Sequence, residues 1–114
     1  MTIIMVTMPQ SKRFQLVYAP MVKQHVKAID RKHHTLIKEA IEAQLQIEPD
    51  IETRNRRPLK RPATFGAKWE IRFGPRNRFR VFYEVNYDDE QVEILAIGEK
   101  VGSQLLIGGE EVEL

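Results

Sequence analysis

Arg72 and Arg80 stand eight residues apart, and Glu70 lies two residues before the first of them. A guanidinium is planar, permanently charged and shaped for bidentate contact with phosphate oxygens. Two of them on neighbouring strands are therefore suited to holding a phosphate and the negative charge that builds on it during reaction. The surrounding sequence strengthens that reading. Residues 54–80 carry 10 Lys and Arg against 1 acid, whereas residues 1–53 carry 7 against 6 and residues 81–114 carry 1 against 9. The small formal net charge of +2 hides this asymmetry. A basic block of Arg54, Arg56, Arg57, Lys60, Arg61, Lys68, Arg72, Arg76, Arg78 and Arg80 points to a polyanionic partner such as nucleic acid. The plainer alternative is a solubilising surface. The acidic final third, with Glu110, Glu111 and Glu113, reads most simply as a solvated counterweight, or else as a contact for a basic partner segment.

The elements that must position these side chains follow from periodicity. Phe14, Leu16 and Tyr18 alternate in a β-rich stretch that predicts a strand over 13–18, ended by Ala19-Pro20. Val22, Val26 and Ile29 recur at helical spacing and predict a helix from Pro20 to about Lys32, with a break at His33-His34-Thr35. Ile37, Ile41 and Leu45 form a second apolar stripe that runs toward Pro49, completing a helical hairpin. The segment from Thr53 to Lys68 has no sustained period and reads as a loop or irregular arm. Trp69, Ile71 and Phe73, the turn Gly74-Pro75-Arg76-Asn77-Arg78, and then Phe79, Val81, Tyr83 and Val85 describe a β-hairpin. After a turn at Asp88-Asp89, Val92, Ile94 and Ala96 lead a last strand ending near Gly98, followed by a glycine-broken tail.

A turn centred on Arg76 sets the hairpin register, pairing Phe73 with Phe79, Arg72 with Arg80 and Glu70 with Phe82. Trp69, Ile71, Phe73, Phe79, Val81 and Tyr83 then face the core, with Tyr18 also counted there. Arg72, Arg80 and Glu70 share the other, open face. Two like charges directly opposite destabilise a sheet unless a carboxylate or a bound anion relieves them. Glu70 or Glu84 is one source of relief and a phosphate is the other. The order β-α-α-β-β-β gives an α+β domain, a helical hairpin packed on a mostly antiparallel four-stranded sheet. One domain over 1–114 accounts for the length, with 1–12 read as a flexible extension.

Several classes are excluded. With no cysteine there is no disulfide framework, thiolate metal site, iron–sulfur cluster or cysteine nucleophile. The run Ile3-Ile4-Met5-Val6 is far too short for a membrane span, so a soluble, cytoplasmic protein with no membrane partner is expected. No glycine-rich phosphate loop and no H-E-x-x-H motif is present. His25, His33 and His34 read as surface or helix-end residues, and neither a metal nor a cofactor is expected.

From about Phe14 to Gly109 the chain resembles the RelE/ParE superfamily of bacterial type II toxin–antitoxin toxins, closer to the RelE branch. The resemblance is carried by FQLVYAP and the helical hairpin, then ETRNRRPLKRP, WEIRF, RFRVFYEV and ILAIGEK in that order. It implies a ribosome-dependent endoribonuclease that cleaves messenger RNA and blocks translation, partnered by a cognate antitoxin, the ribosome and mRNA, without a metal or small-molecule cofactor. In that branch a 2′-hydroxyl attacks the adjacent phosphodiester while basic side chains stabilise the phosphate. By position, Arg72, Arg80 and Lys100 match the family's catalytic basic residues. Arg54, Arg56, Arg57, Lys60, Arg61, Lys68, Arg76 and Arg78 are the expected RNA contacts.

Two positions depart from the family pattern. Glu70 stands where a basic residue is usual, and Leu106 where a tyrosine orients the base. Arginine is not deprotonated, so Glu70, Glu84, Lys100 or a histidine is left for proton transfer. Glu70 is the first choice as general base; its alternative role is a salt bridge that quiets the arginines. The competing functions are a ParE-like toxin that binds and inhibits DNA gyrase without cutting RNA, and a catalytically inactive relative.

Overall fold

The structure, a computed structural model, describes residues 13–114; the extension expected over 1–12 lies outside them. Among these described residues seven strands and two α-helices follow one another: β1 (Gln15–Tyr18), α1 (Val22–Lys27), α2 (His34–Leu45), β2 (Arg56–Pro58), β3 (Trp69–Phe73), β4 (Phe79–Asn86), β5 (Gln91–Val101), β6 (Gln104–Ile107) and β7 (Glu110–Glu111). This is the expected α+β architecture, helices on a mostly antiparallel sheet, with a sheet wider than four strands. Its order is β2-β3-β4-β5-β6-β7, and β1 pairs with β5 in parallel.

The eleven-residue β5 organises the sheet. One edge pairs with β4, while the other is shared by β1 along Gln91–Ile94 and by β6 along Gly98–Val101. The gap between those two partners is closed by a side chain: the Ile97 N–H donates to His25 Nδ1 on α1 at 3.3 Å. Opposite, the register shifts between Phe82 and Tyr83, which leaves Leu95 as the extra residue of a bulge.

The hairpin register is the expected one at every pair from Trp69↔Tyr83 to Phe73↔Phe79. Its turn is a 3₁₀ segment, Pro75–Asn77, with Arg76 and Asn77 at positive φ. Gly74 has φ 82°, and a Cβ there would stand 2.7 Å from the Phe79 ring, so both conformation and space require glycine.

The helical hairpin differs from expectation at its bend. The first helix ends at Lys27 rather than Lys32, and the second has already begun at His34. Asp30 is the reason: its backbone is extended and its carboxylate accepts from Lys32 N, capping a 3₁₀ turn, Arg31–His33, that feeds into α2. The second helix stops at Leu45, four residues short of Pro49. Its apolar stripe is the expected one, Ile37, Ile41 and Leu45 all being buried against the sheet.

On the sheet's helical face Ile71, Phe73, Phe79, Val81 and Tyr83 are buried, and Trp69 is half-buried with its ring stacked on Tyr83. The Tyr83 hydroxyl donates to the Pro49 carbonyl at 2.6 Å, tying α2's exit to the sheet. Tyr18 does not belong to this core. The strand β1 lies at the sheet margin, paired on one side only, and burial fades along it from Phe14 to Tyr18, which is 44% exposed.

The opposite face is not open either. Ala67, Phe82 and Ala96 are buried there under Leu59, Ala63 and Phe65 from the basic arm and Leu105 and Ile107 from β6. The arm is thus pinned to the sheet by its few apolar residues, and its first part forms β2 against β3. The glycine-broken tail is a β-hairpin, β6 and β7, turning at Gly108 and Gly109 with φ of 64° and 82°.

Candidate functional site

Strand pairing places four charged residues on this second face. Arg57 on β2 lies opposite Glu70 on β3, and Arg72 lies opposite Arg80 on β4. Side chains on one face of adjacent strands converge, and here they do so on one oxygen. Glu70 Oε1 is 2.5 Å from Arg72 Nε, 3.6 Å from an Arg57 terminal nitrogen and 3.8 Å from Arg80 Nη1. One formal negative charge is therefore surrounded by three positive ones, leaving an excess of two.

Glu70 is only 2% exposed and Arg80 only 8%. The expectation of an open face carrying both thus needs correction: the folded arm and β6 pack on that face over Ala67, Phe82 and Ala96, and the members of the cluster that reach solvent are Arg57 and Arg72, whose side chains are 54% and 31% exposed. Arg80 lies beneath them and donates from Nε to the Asn77 carbonyl at 3.2 Å. Burial first, then the Arg72 charge, lowers the Arg80 pKa from its ordinary value, while Glu70 acts the other way. Gly98 stands opposite Arg80 on β5, and an added Cβ would meet Ile107 and the Leu106 carbonyl at 3.0 Å, so the β6 backbone packs closely there.

This arrangement explains how two like charges are tolerated across a strand pair. Glu70 supplies the relief anticipated from a carboxylate, and Glu84 does not take part, being paired with Lys68 at 3.3 Å. A buried carboxylate held this way fixes the directions of the guanidinium groups.

The remaining residues of the basic block scatter. Arg56 is buried, its Nε donating to the Ile51 carbonyl at 2.8 Å and an Nη to the Gln44 carbonyl at 2.5 Å. It ties the start of the arm to the end of α2 and is taken up inside the protein. Arg78 pairs with Glu99 at 2.5 Å and stacks 5.8 Å over the Phe79 ring. Arg76, at the tip of the hairpin turn, Arg54 and Lys100 are exposed. Arg57, Lys60 and Arg61 line a groove of about 880 Å³ that runs beside the arm, with Glu52 and Glu113 also on its walls. Arg57 belongs both to this groove and to the Glu70 cluster. Leu105 and Ile107 pack on the cluster's face, so Leu106 between them is directed to the other face of its strand.

His25 is committed to the sheet gap as an acceptor, and burial lowers its pKa from the ordinary value. The His34 ring nitrogen lies 2.8 Å from the Ile29 carbonyl, and the His33 ring tilts against Phe79. Among the described residues no group of three or more His, Asp or Glu is placed to hold a metal ion, and no helix is long and apolar enough to cross a membrane.

No protein-family model matches the chain, and no curated protein matches it. Among solved structures it is similar to a chain of the toxin–antitoxin complex RelBE2 from Mycobacterium tuberculosis. The two share 16% sequence identity over 80% of this chain and 95% of that one, with a TM-score of 0.64. At that identity the likeness is one of fold.

Proposed function

We propose that this chain is the toxin of a type II toxin–antitoxin pair and that it acts as a ribosome-dependent endoribonuclease on messenger RNA. The observation that carries the reading is the cluster of Arg57, Arg72 and Arg80 around a buried Glu70, with two unneutralised positive charges on adjoining strands. The fold shared with a chain of a toxin–antitoxin complex supports it.

In this reading a phosphodiester rests on Arg72 and Arg57, the two members that reach solvent, with the Arg80 charge beneath them. The 2′-hydroxyl of the preceding nucleotide attacks the phosphorus, the bond to the 5′-oxygen breaks, and a 2′,3′-cyclic phosphate and a 5′-hydroxyl are released. A proton leaves the 2′-oxygen and one is delivered to the 5′-oxygen. Fixed positive charge lowers the barrier by stabilising the dianionic phosphorane-like transition state, and groups already held in place need no reorganisation when that charge appears. Glu70 is a positioning residue here: its carboxylate is engaged by Arg72 and shielded from solvent. Lys100, exposed beyond Gly98 on β5, is the candidate for proton transfer. A cognate antitoxin is the expected protein partner.

The test is message integrity in a purified translation system with the wild-type chain and with Arg72→Ala. Cleavage confined to translating ribosomes and lost by at least about 100-fold in the variant is expected, the magnitude typical of removing one transition-state donor. Intact messages, with supercoiling by DNA gyrase inhibited, would replace this reading with the gyrase-directed one.

A further inference from the structure

The acidic final third of the chain has no part in the reading above, and its position is informative. The C-terminal hairpin is anchored by the pairs Leu106↔Glu111 and Ile107↔Glu110, by Val112 N–H donating to the Leu105 carbonyl at 2.9 Å, and by Gln104 Nε2 donating to Glu111 at 3.3 Å. Those bonds bring Glu113, the residue after the last anchor, to the wall of the groove that Arg57, Lys60 and Arg61 line. Glu52 stands on the wall too. Both carboxylates are exposed, and neither is among the ion pairs formed by the described residues. Groups of opposite charge thus share the walls of one groove without a salt bridge among the described residues that joins Glu52 or Glu113 to its cations.

We propose that Glu52 and Glu113 form an anionic screen across this groove, which weakens its hold on single-stranded RNA and is lifted when their charge is removed or covered by a cationic partner segment. The inference rests on the RNA-directed reading of the chain. A phosphate entering the groove meets attraction from three cations and repulsion from two carboxylates at once. Because the carboxylates are not bonded to the cations, their effect is through space and is extinguished by salt, with a screening length of about 30 Å at 0.01 M and about 3 Å at 1 M. A steric lid would not behave that way. The screen also gives the charge asymmetry along the chain a use: the basic arm and the acidic tail are remote in sequence and adjacent in the fold.

The experiment is anisotropy titration of a 5′-labelled oligouridine twelve-mer at 25 mM and at 500 mM salt. It compares the wild-type chain, the double variant Glu52→Gln/Glu113→Gln, and a control, Glu39→Gln/Asp88→Asn, that changes net charge equally at exposed sites away from the groove. The double variant should bind about three- to tenfold tighter than wild type at low salt and within about twofold of it at high salt, as expected for two unit charges acting across water-filled separations. The control should bind like wild type. Equal affinity of the double variant and wild type at low salt would overturn the screen. So would equal tightening by the control, since net charge alone would then account for it. Salt-sensitive binding by wild type with either of these results leaves the RNA reading standing and removes only the screen; absence of binding by all three chains removes both.

Discussion

Replacing Glu70 should move stability and anion affinity in opposite directions. The carboxylate is 2% exposed and lies within 3.8 Å of three guanidinium nitrogens. Its removal leaves Arg72 directly opposite Arg80 with nothing between them. Breaking a buried ion pair by deleting one partner costs about 3–5 kcal/mol, because the other charge stays behind uncompensated. Arg57 and Arg72 are partly solvated, with side-chain exposures of 54% and 31%, and turn toward water when released. Their share is accordingly discounted. Arg80 has no such escape, so Glu70→Ala should lose about 3 kcal/mol and Glu70→Gln, which keeps a hydrogen-bond acceptor, about 2 kcal/mol. Urea unfolding followed by circular dichroism reads this as a lower midpoint at unchanged slope. The same variants carry one more positive charge on that face, so added phosphate should restore part of the lost stability through binding to the native state. A loss below about 1 kcal/mol, or no response of the variant to phosphate, would refute the idea that Glu70 holds the arginines against their own repulsion.

Arg56→Met should cost about 2–3 kcal/mol in urea, since two charge-assisted bonds to the Ile51 and Gln44 carbonyls are lost, while RNA affinity stays unchanged. Lys60→Ala should do the reverse, leaving the urea midpoint in place and lowering the salt slope of RNA binding by about one counterion. His25 makes stability depend on pH: burial lowers its folded pKa below the ordinary 6.5 and Nδ1 must stay unprotonated to accept from Ile97. Its contribution is present above about pH 6.5 and fades as pH falls through the folded value, so His25→Phe should flatten the urea midpoint between pH 7.5 and pH 5. Gly74→Ala should lose about 2–4 kcal/mol by thermal or urea unfolding, because φ is 82° and the new methyl meets the Phe79 ring at 2.7 Å.

Much of this molecule was legible before the fold was known. Two strands with strict alternation and a turn centred on Arg76 fix every cross-strand pair of the β3–β4 hairpin, because side chains in a strand have a period of two and a slip of one would turn the whole apolar set outward. The α2 stripe was equally legible. The Asp30 cap was visible as a residue type but competed with an apolar pattern that ran on through Ile29, and the cap won by ending α1 early. Two further elements carry local signals of their own. Gly108-Gly109 between QLLI and EEV is a hairpin turn, and Leu59, Ala63 and Phe65 inside the basic arm are anchors.

What sequence determined, then, is local: the period of each element, the register across one short turn, and the placement of Glu70, Arg72 and Arg80 on one face. Which of those side chains would be covered was decided by the tertiary structure: the arm at 59–67 and the strand β6 pack on that face over Ala67, Phe82 and Ala96, and on it Glu70 and Arg80 are buried while Arg57 and Arg72 stay in reach of solvent. The same holds for Arg56, indistinguishable in type from its neighbours yet drawn inside by two carbonyls at the end of α2. Charge is a property of a residue and can be read one letter at a time. Desolvation is a property of everything packed around it, and only the assembled fold supplies that.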